Sequence, residues 1–340
     1  MQTHTLWSAY RLRQKRRNAL LRAYLARRKL SPPARAFTAG PDDIRLFCCL
    51  RNEMERLPDF LKHYRRLGVR HFLMVDNGSD DDSAAYLAMQ PDVWLWQTRA
   101  SYRDARFGMD WINGLLLAHG QGAWCLTVDA DELLVYPDHD TTPLPALTRQ
   151  LDAAGQDVMA ALMLDLYPEG PLSGALSLDD LTAFDAWGYD WEYQPRYGNI
   201  SIRGGPRKRC FFRERPDHAP HLHKTPLLRW HWRYAYLSST HLLLPRRLNR
   251  GFDPRHGLMT GALLHSKFLA SSMDRAREDQ HRKQHFTHVE HYTRYYDALT
   301  DDPILAGPPT ATGPTAAHLE ALGLIRRGSR GTKSDETTAN

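Results

Sequence analysis

The feature that most limits what this chain can fold into is an alternation, between residues 44 and 129, of short apolar runs with segments of helical period. Residues 44–50 form an apolar run, which predicts a buried strand. Residues 55–67 carry Leu57, Phe60, Leu61, Tyr64 and Leu67 at helical spacing and stop at Gly68. Residues 69–75 predict a second strand, 76–80 a turn, and 82–89 a short helix whose acidic start suits the helix dipole. A third strand is expected at 92–96, a helix at 107–119 and a fourth strand at 123–128, ending at Asp129. Strands alternating with helices over short connections require a mostly parallel sheet with covered faces, an α/β fold. Ligands in such sheets gather at the carboxyl ends of the strands. There the sequence places Arg51-Asn52-Glu53, Asp76 and Asp129-Ala130-Asp131.

The second half is less regular. A strand is expected at 158–166 and a Trp- and Tyr-rich loop at 184–197. Antiparallel strands are expected at 201–213 and 227–236, a further strand at 261–269 and a long polar helix at 273–299. Beyond residue 302 the Pro, Gly, Ala and Thr content predicts a loose tail with at most a short helix near 316–325. The expected organisation is a helical segment over 1–40, a domain over 41–300 with halves at 41–135 and 136–300, and the tail 301–340.

At 42% hydrophobic and 25% charged the chain reads as globular. Its formal charge of +6 is unevenly spread. Residues 1–40 hold ten Lys and Arg and no acid, which leaves 35 basic against 39 acidic side chains in the rest. A body with a slight negative balance disfavours nucleic acid as a partner. No apolar stretch reaches the roughly 18 residues of a membrane span, and no secretory signal opens the sequence. The four cysteines suit no disulfide framework or CxxC zinc pair, so reduced, buried thiols in a cytoplasmic protein are expected. Residues 6–30 read as a basic amphipathic helix. Two readings stay open for it: a peripheral contact with an anionic membrane on the inner face of the cell membrane, or a solvated helix packing its few apolar residues on the body.

Asp129 and Asp131 carry the clearest chemistry. In an extended backbone they point to one side, where two carboxylates call for a cation, Mg²⁺ or Mn²⁺. Asp76 suits a hydrogen bond to a base or ribose, or a plain Asx turn. Arg203, Arg207, Lys208 and Arg209 surround two glycines and suit phosphate or an anionic acceptor, or else a basic surface turn. Lys224 and Lys267 are weaker candidates of the same kind. His281, His285, His288 and His291 miss both the HExxH and HxxEH zinc patterns. His218, His221 and His223 form a further cluster without a clear role.

Arg51-Asn52-Glu53, Val75-Asp76-Asn77-Gly78-Ser79-Asp80 and Val128-Asp129-Ala130-Asp131-Glu132 together resemble the three landmarks of family 2-type glycosyltransferases of the GT-A (Rossmann-like) fold. A bacterial subgroup also has signatures similar to Gly204-Gly205-Pro206-Arg207, Lys224-Thr225-Pro226-Leu227 and Leu264-His265-Ser266-Lys267-Phe268. The resemblance spans about residues 44–290. It implies a nucleotide-binding half at 41–135 and a smaller antiparallel acceptor-side region at 136–300. Glu53 and Asp76 would flank the nucleobase and ribose of a UDP- or GDP-linked sugar. Arg51, Asp110, Asn113, Arg207 and Lys267 would be further donor contacts. Asp129, Asp131 and His265 would hold Mn²⁺ or Mg²⁺ on the diphosphate. The implied reaction is an inverting transfer to a glycan or lipid-linked acceptor in surface polysaccharide synthesis. Asp165, His241 and Glu278 are the candidates for the base that takes the acceptor proton. Two alternatives are weighed against it. One is a nucleotidyltransferase on the same type of sheet, which would want a Gly-rich loop after the first strand where Arg51-Asn52 stands. The other is a non-enzymatic protein binding through its basic arm.

Overall fold

A computed structural model describes residues 6–271, 295 and 297–328. Its strands are β1 (Arg45–Leu50), β2 (His71–Asp76), β3 (Val93–Gln97), β4 (Trp124–Thr127), β5 (Glu132–Val135), β6 (Val158–Asp165) and β7 (Ala183–Asp185). They continue with β8 (Asp190–Gln194), β9 (Asn199–Arg203), β10 (His223–Arg229), β11 (Ala235–Ser238), β12 (Leu242–Leu244), β13 (Thr260–His265) and β14 (Thr310–Thr312). The helices are α1 (Leu6–Ala26), α2 (Leu57–Arg66), α3 (Ser83–Ala88), α4 (Met109–His119), α5 (Leu144–Ala153) and α6 (Ala316–Ala321).

The architecture is mixed α/β, as the strand–helix alternation predicts. One sheet of eight strands runs β3-β2-β1-β4-β10-β6-β13-β5, flanked by helices and accompanied by three small antiparallel pairs. β1–β4 are mutually parallel, β10 runs antiparallel between β4 and β6, β13 is parallel to β6, and β5 is an antiparallel edge. This mostly parallel, curled arrangement is consistent with a Rossmann-like GT-A fold. Period-2 alternation divides the apolar runs between two cores. Leu46, Cys48, Phe72 and Met74 face α2 and α5. Phe47, Leu73, Val75 and Cys125 face α4 and Trp230.

The curl follows from chain length. β4 and β5 are four strand positions apart, about 19 Å in a flat sheet. The segment from Thr127 to Glu132 reaches roughly 17 Å even if fully extended, and here it includes a turn closed by Glu132 N–H donating to Asp129 O at 3.1 Å. The far edge must therefore bend back to the carboxyl end of β4. Tyr64 of α2 fastens it there, with its hydroxyl donating to Glu132 O (2.8 Å) and accepting from Leu134 N–H (3.1 Å).

The second half differs from expectation in several places. The 201–213 strand ends at Arg203 and gives way to a π-helical turn, Arg207–Phe211. The 227–236 strand is two, β10 and β11, and 261–269 ends at His265. The 184–197 loop contains β8, which stayed hidden because its residues are mostly exposed and lack an apolar alternation. Residues expected as a loose tail are ordered up to residue 328: β14 pairs with β7, and Leu319 and Ile325 are buried in a third core. Most of the 273–299 helix, with its four histidines, lies outside the described residues. No helix among the described residues is long and apolar enough to cross a membrane. All four cysteines are free; Cys48 and Cys125 are buried, whereas Cys210 is exposed.

The basic segment forms α1, whose second half lies on α4, with Ala19, Ala23 and Ala26 buried. Small residues make that approach possible. A Cβ on Gly114 of α4 would stand 2.8 Å from Ala23 O.

Candidate active site

Strand register builds the site. His265 at the end of β13 lies opposite Asp165 of β6 on one side and Glu132 of β5 on the other. Directly opposed residues share a sheet face, so these three side chains emerge together at the carboxyl end of the sheet. His265 Nδ1 is 2.6 Å from Asp165 Oδ1, and its Nε2 is 3.1 Å from Asp131 Oδ2. Arg207 Nε donates to the other Asp165 oxygen at 2.7 Å. The result is a continuous Asp131–His265–Asp165–Arg207 chain.

Two glycines deliver Arg207 to it. A Cβ on Gly204 would fall 2.5 Å from the Tyr189 ring and 2.8 Å from Gly188 O, and Gly205 takes a left-handed φ of +68°. Only glycine lets the chain pass Tyr189 and reverse there.

The charges along this chain set one another. Burial disfavours ionised Asp131, but His265, Lys267 and Arg56 outweigh it and hold the carboxyl well below its usual range. Burial opposes charge on His265 too, and the two carboxylates overcome it, raising its pKa. Asp165 is likewise kept ionised against burial, by Arg207 and His265.

A second cluster lies beside the first. Lys224 of β10 reaches Asp129 Oδ2 at 2.7 Å and also bonds Glu132, which has no exposed side chain. Burial raises Glu132 to about 7 despite Lys224. Asp129 and Asp131 therefore diverge. The expectation that they share one side fails because residues 128–131 form a turn rather than a strand. Among the described residues no three His, Cys, Asp or Glu side chains gather as a metal site, so the expected set Asp129, Asp131 and His265 reduces to Asp131 and His265. An aspartate and a histidine so placed would supply two ligands to a divalent ion, leaving its other positions to water or other oxygens. Asp165, bonded to the other ring nitrogen, would orient that imidazole if it served as a ligand.

The remaining candidates fall into three groups. Asp76 and Arg51 shape loops. The Asp76 carboxylate accepts from Gly78 N–H (3.2 Å) and Ser79 N–H (3.2 Å), an Asx-type turn, and from the Ser79 hydroxyl. Arg51 bonds Asp80 at 3.0 Å. Glu53 and Lys267 border the site. Arg56 Nη1 bonds Glu53 (3.0 Å), while its Nη2 donates to Ser266 O (2.9 Å), and Ser266 N–H donates to Asp131 O at 2.8 Å. Lys267 supports the charge of Asp131. Asp110 and Asn113 are engaged elsewhere, contrary to a donor role. Asp110 is buried between Arg22 (2.9 Å) and Arg106, and Asn113 bonds both backbone groups of Tyr236.

Among the base candidates, Asp165 has both oxygens engaged. His241 donates from Nδ1 to His223 O at 2.7 Å. Burial, then the charge of Lys224, keeps it neutral. Glu278 lies outside the described residues. The basic turn is largely matched to acids, Lys208 to Asp190 and Arg209 to Asp185 at 2.9 Å. The rings of His221, His223 and His241 meet edge-on or tilted, with centroids 5.2–6.4 Å apart. Sequence reasoning missed Arg56 and the inward role of Lys224. An arginine at the start of α2 carries no local signal, and the Lys224–Asp129 bond joins residues 95 apart.

No known family profile and no curated protein matches the chain. Among solved structures, a mannosyltransferase from Pyrobaculum calidifontis in complex with GDP-Man and Mn²⁺ is similar at 20% identity, over 46% of each chain, with a TM-score of 0.27. The chain thus spans less than half the length of that protein, and the likeness is too slight to bear on this chain's chemistry.

Proposed function

We propose that the protein is a glycosyltransferase that moves a sugar from a UDP- or GDP-linked donor to a hydroxyl of a glycan or lipid-linked acceptor, with inversion, in surface polysaccharide synthesis. The observation that supports this most is the convergence of Asp131 Oδ2 and His265 Nε2, 3.1 Å apart, at the carboxyl end of a mostly parallel sheet. An α/β sheet presents ligands there. A divalent ion at this pair would supply positive charge for the leaving diphosphate.

The chain's own residues have separate tasks. Asp165 holds the His265 ring in place, and Arg207 keeps Asp165 ionised. Arg56 and Ser266 fix the backbone of Asp131. Glu53 and Arg51, on the loop after β1, border the donor side. In the reaction the bond from the anomeric carbon to the diphosphate oxygen breaks. A bond to the acceptor oxygen forms on the opposite face, and the hydroxyl proton leaves to a base. Neither Asp165 nor His241 is assigned as that base: both Asp165 oxygens are engaged, and His241, although its Nε2 keeps a lone pair while Nδ1 donates to His223 O, is made a weak base by burial and by Lys224.

Calorimetric titration of UDP and GDP with Mn²⁺ tests the reading. Binding is expected in the wild type, absent in Asp131→Asn and weakened in His265→Ala. Equal nucleotide affinity with EDTA present would remove the metal from the site. Absence of any nucleotide binding would remove the glycosyltransferase assignment.

A further inference from the structure

Beneath α1 lies a cavity of about 660 Å³, lined by Arg13, Arg16 and Arg17 of the helix and by Arg233 and Arg246 at the open end of the β11–β12 hairpin. Leu12 and Leu244 supply apolar wall. No acid lines the cavity, and among the described residues none of the five arginines is in an ion pair. Their neighbours show that this is not for lack of acids. Arg247 and Arg250, beside Arg246 in sequence, both bond Asp157, at 2.8 and 3.3 Å. Arg22, further along α1, bonds Asp110.

Two of the five guanidinium groups are held by further contacts. Arg246 Nη2 donates to Pro195 O at 3.0 Å, and its guanidinium lies where a Cβ on Gly198 would stand, 2.9 Å away. Arg233 stacks on Trp232 at 4.7 Å. Burial, followed by repulsion from Arg233, Arg13 and Arg17, lowers the pKa of Arg16. Like charges held together without a counter-charge oppose folding, and a bound anion relieves them. Guanidinium forks match phosphate oxygens two at a time, and the volume exceeds what a single phosphate fills.

We infer that this cavity is a binding site for a diphosphate-bearing ligand, separate from the Asp131–His265 site. The hairpin joins the two places. One end carries Arg233 and Arg246, and the other leads through Thr240 to His241 and His223, next to Lys224. The diphosphate could arrive free in solution or as a lipid headgroup. For the second source, the outward face of α1 presents exposed Trp7, Tyr10, Leu21, Tyr24 and Leu25.

The test is calorimetric titration of inorganic pyrophosphate into the full chain in EDTA, where metal-dependent binding at Asp131 does not contribute. Saturable binding is expected, weakened about tenfold by Arg16→Gln and about as much by Arg233→Gln. Arg16→Lys, which keeps the charge, loses only a few-fold. Arg149→Gln, on the exposed side of α5, and Asp131→Asn leave the affinity unchanged. Melting curves for each variant separate lost binding from lost fold. No binding, or equal affinity in the wild type and a folded Arg16→Gln/Arg233→Gln protein, overturns the proposal. Flotation with phosphatidylcholine vesicles containing a polyprenyl diphosphate then identifies the source. Arginine-dependent flotation indicates a lipid headgroup, whereas pyrophosphate binding without flotation indicates a soluble ligand. Because Asp131→Asn retains pyrophosphate binding but loses nucleotide, failure of this site and failure of the glycosyltransferase reading are distinguishable.

Discussion

Two regions of this protein concentrate charge, and they treat it in opposite ways. At the carboxyl ends of β6 and β13 each buried charge has an opposite neighbour: Asp131 with His265, Asp165 with His265 and Arg207, Glu132 with Lys224. In the cavity beneath α1, five arginines line one space without an acid. Charge taken out of water must be compensated by the protein or by something it binds. The first region has largely compensated itself, so its ligands must compete with ion pairs that already exist. The second has kept its charge in water, with Arg13, Arg17 and Arg233 exposed and Arg16 and Arg246 half-buried, so an anion there displaces solvent rather than an existing ion pair. A basic cluster in the sequence is informative only once it is known which of its members have found an acid.

The contrast can be broken most forcefully at Asp165. Asp165→Ala leaves Arg207 buried and uncompensated and His265 with one carboxylate instead of two. A loss of about 3–5 kcal/mol in unfolding free energy is expected from urea denaturation. A loss below 1 kcal/mol would mean that the buried chain is not held by mutual charge compensation.

Acid titration probes a group the sheet keeps uncharged. His63 of α2 donates from Nε2 to Leu134 O at 2.9 Å, and burial lowers its pKa to about 4. Above pH 6.5 it is neutral in both folded and unfolded chains and does not affect stability. Below that value the unfolded chain takes up a proton that the folded chain refuses. Stability therefore falls with pH until the folded pKa is passed, by about 3 kcal/mol in all. In His63→Gln the pH dependence of the urea midpoint between 6.5 and 4 should shrink accordingly. An unchanged dependence would place the proton elsewhere.

Legibility in the sequence followed the same division. β1–β4 and their helices were readable because strands buried on both faces give continuous apolar runs between helical segments. The pairing of Asp129 and Asp131 was misread because i, i+2 geometry assumes an extended chain, whereas residues 128–131 turn. Lys224 beside Asp129, and Asp165 beside His265, depend on a sheet order in which β10 and β13 insert far from their sequence neighbours. Nothing local encodes that. The order of residues 302–328 was hidden by a Pro- and Gly-rich composition, although Leu319 and Ile325 supply the apolar contact. The arginine cavity was half legible. The excess charge of α1 is plain, but the convergence of Arg233 and Arg246 upon it is tertiary.

A smaller effect is expected where α1 meets α4, and it links the cavity to the body. Gly114→Ala gains about 1 kcal/mol of helix propensity. The new Cβ would also lie 2.8 Å from Ala23 O, a backbone atom that moves only if the whole helix moves. Overpacking of this kind costs about 1–3 kcal/mol, so a net loss of about 1 kcal/mol is expected by thermal melting. Because α1 carries three of the five arginines, pyrophosphate affinity should fall in the same variant. A stabilised Gly114→Ala protein would show that α1 is held less closely than its small-residue face implies.

The smallest effect is expected on the surface of the donor-side loops. Arg51 and Asp80 form a 3.0 Å pair with side chains 28% and 69% exposed. Exposed pairs contribute about 0–1 kcal/mol, and salt weakens them further. Asp80 also accepts from the Asn52 side-chain amide, while its N–H donates to Asn52 Oδ1 at 2.9 Å. Asp80→Asn keeps that backbone bond but removes the charge and one of the two acceptor oxygens that Arg51 and Asn52 use, and at this exposed edge unfolding free energy should still change by less than about 1 kcal/mol, and by less at high salt. A larger loss would mean that compensation matters as much at this open edge as in the buried chain. The boundary between the two kinds of charged region would then lie elsewhere than burial places it.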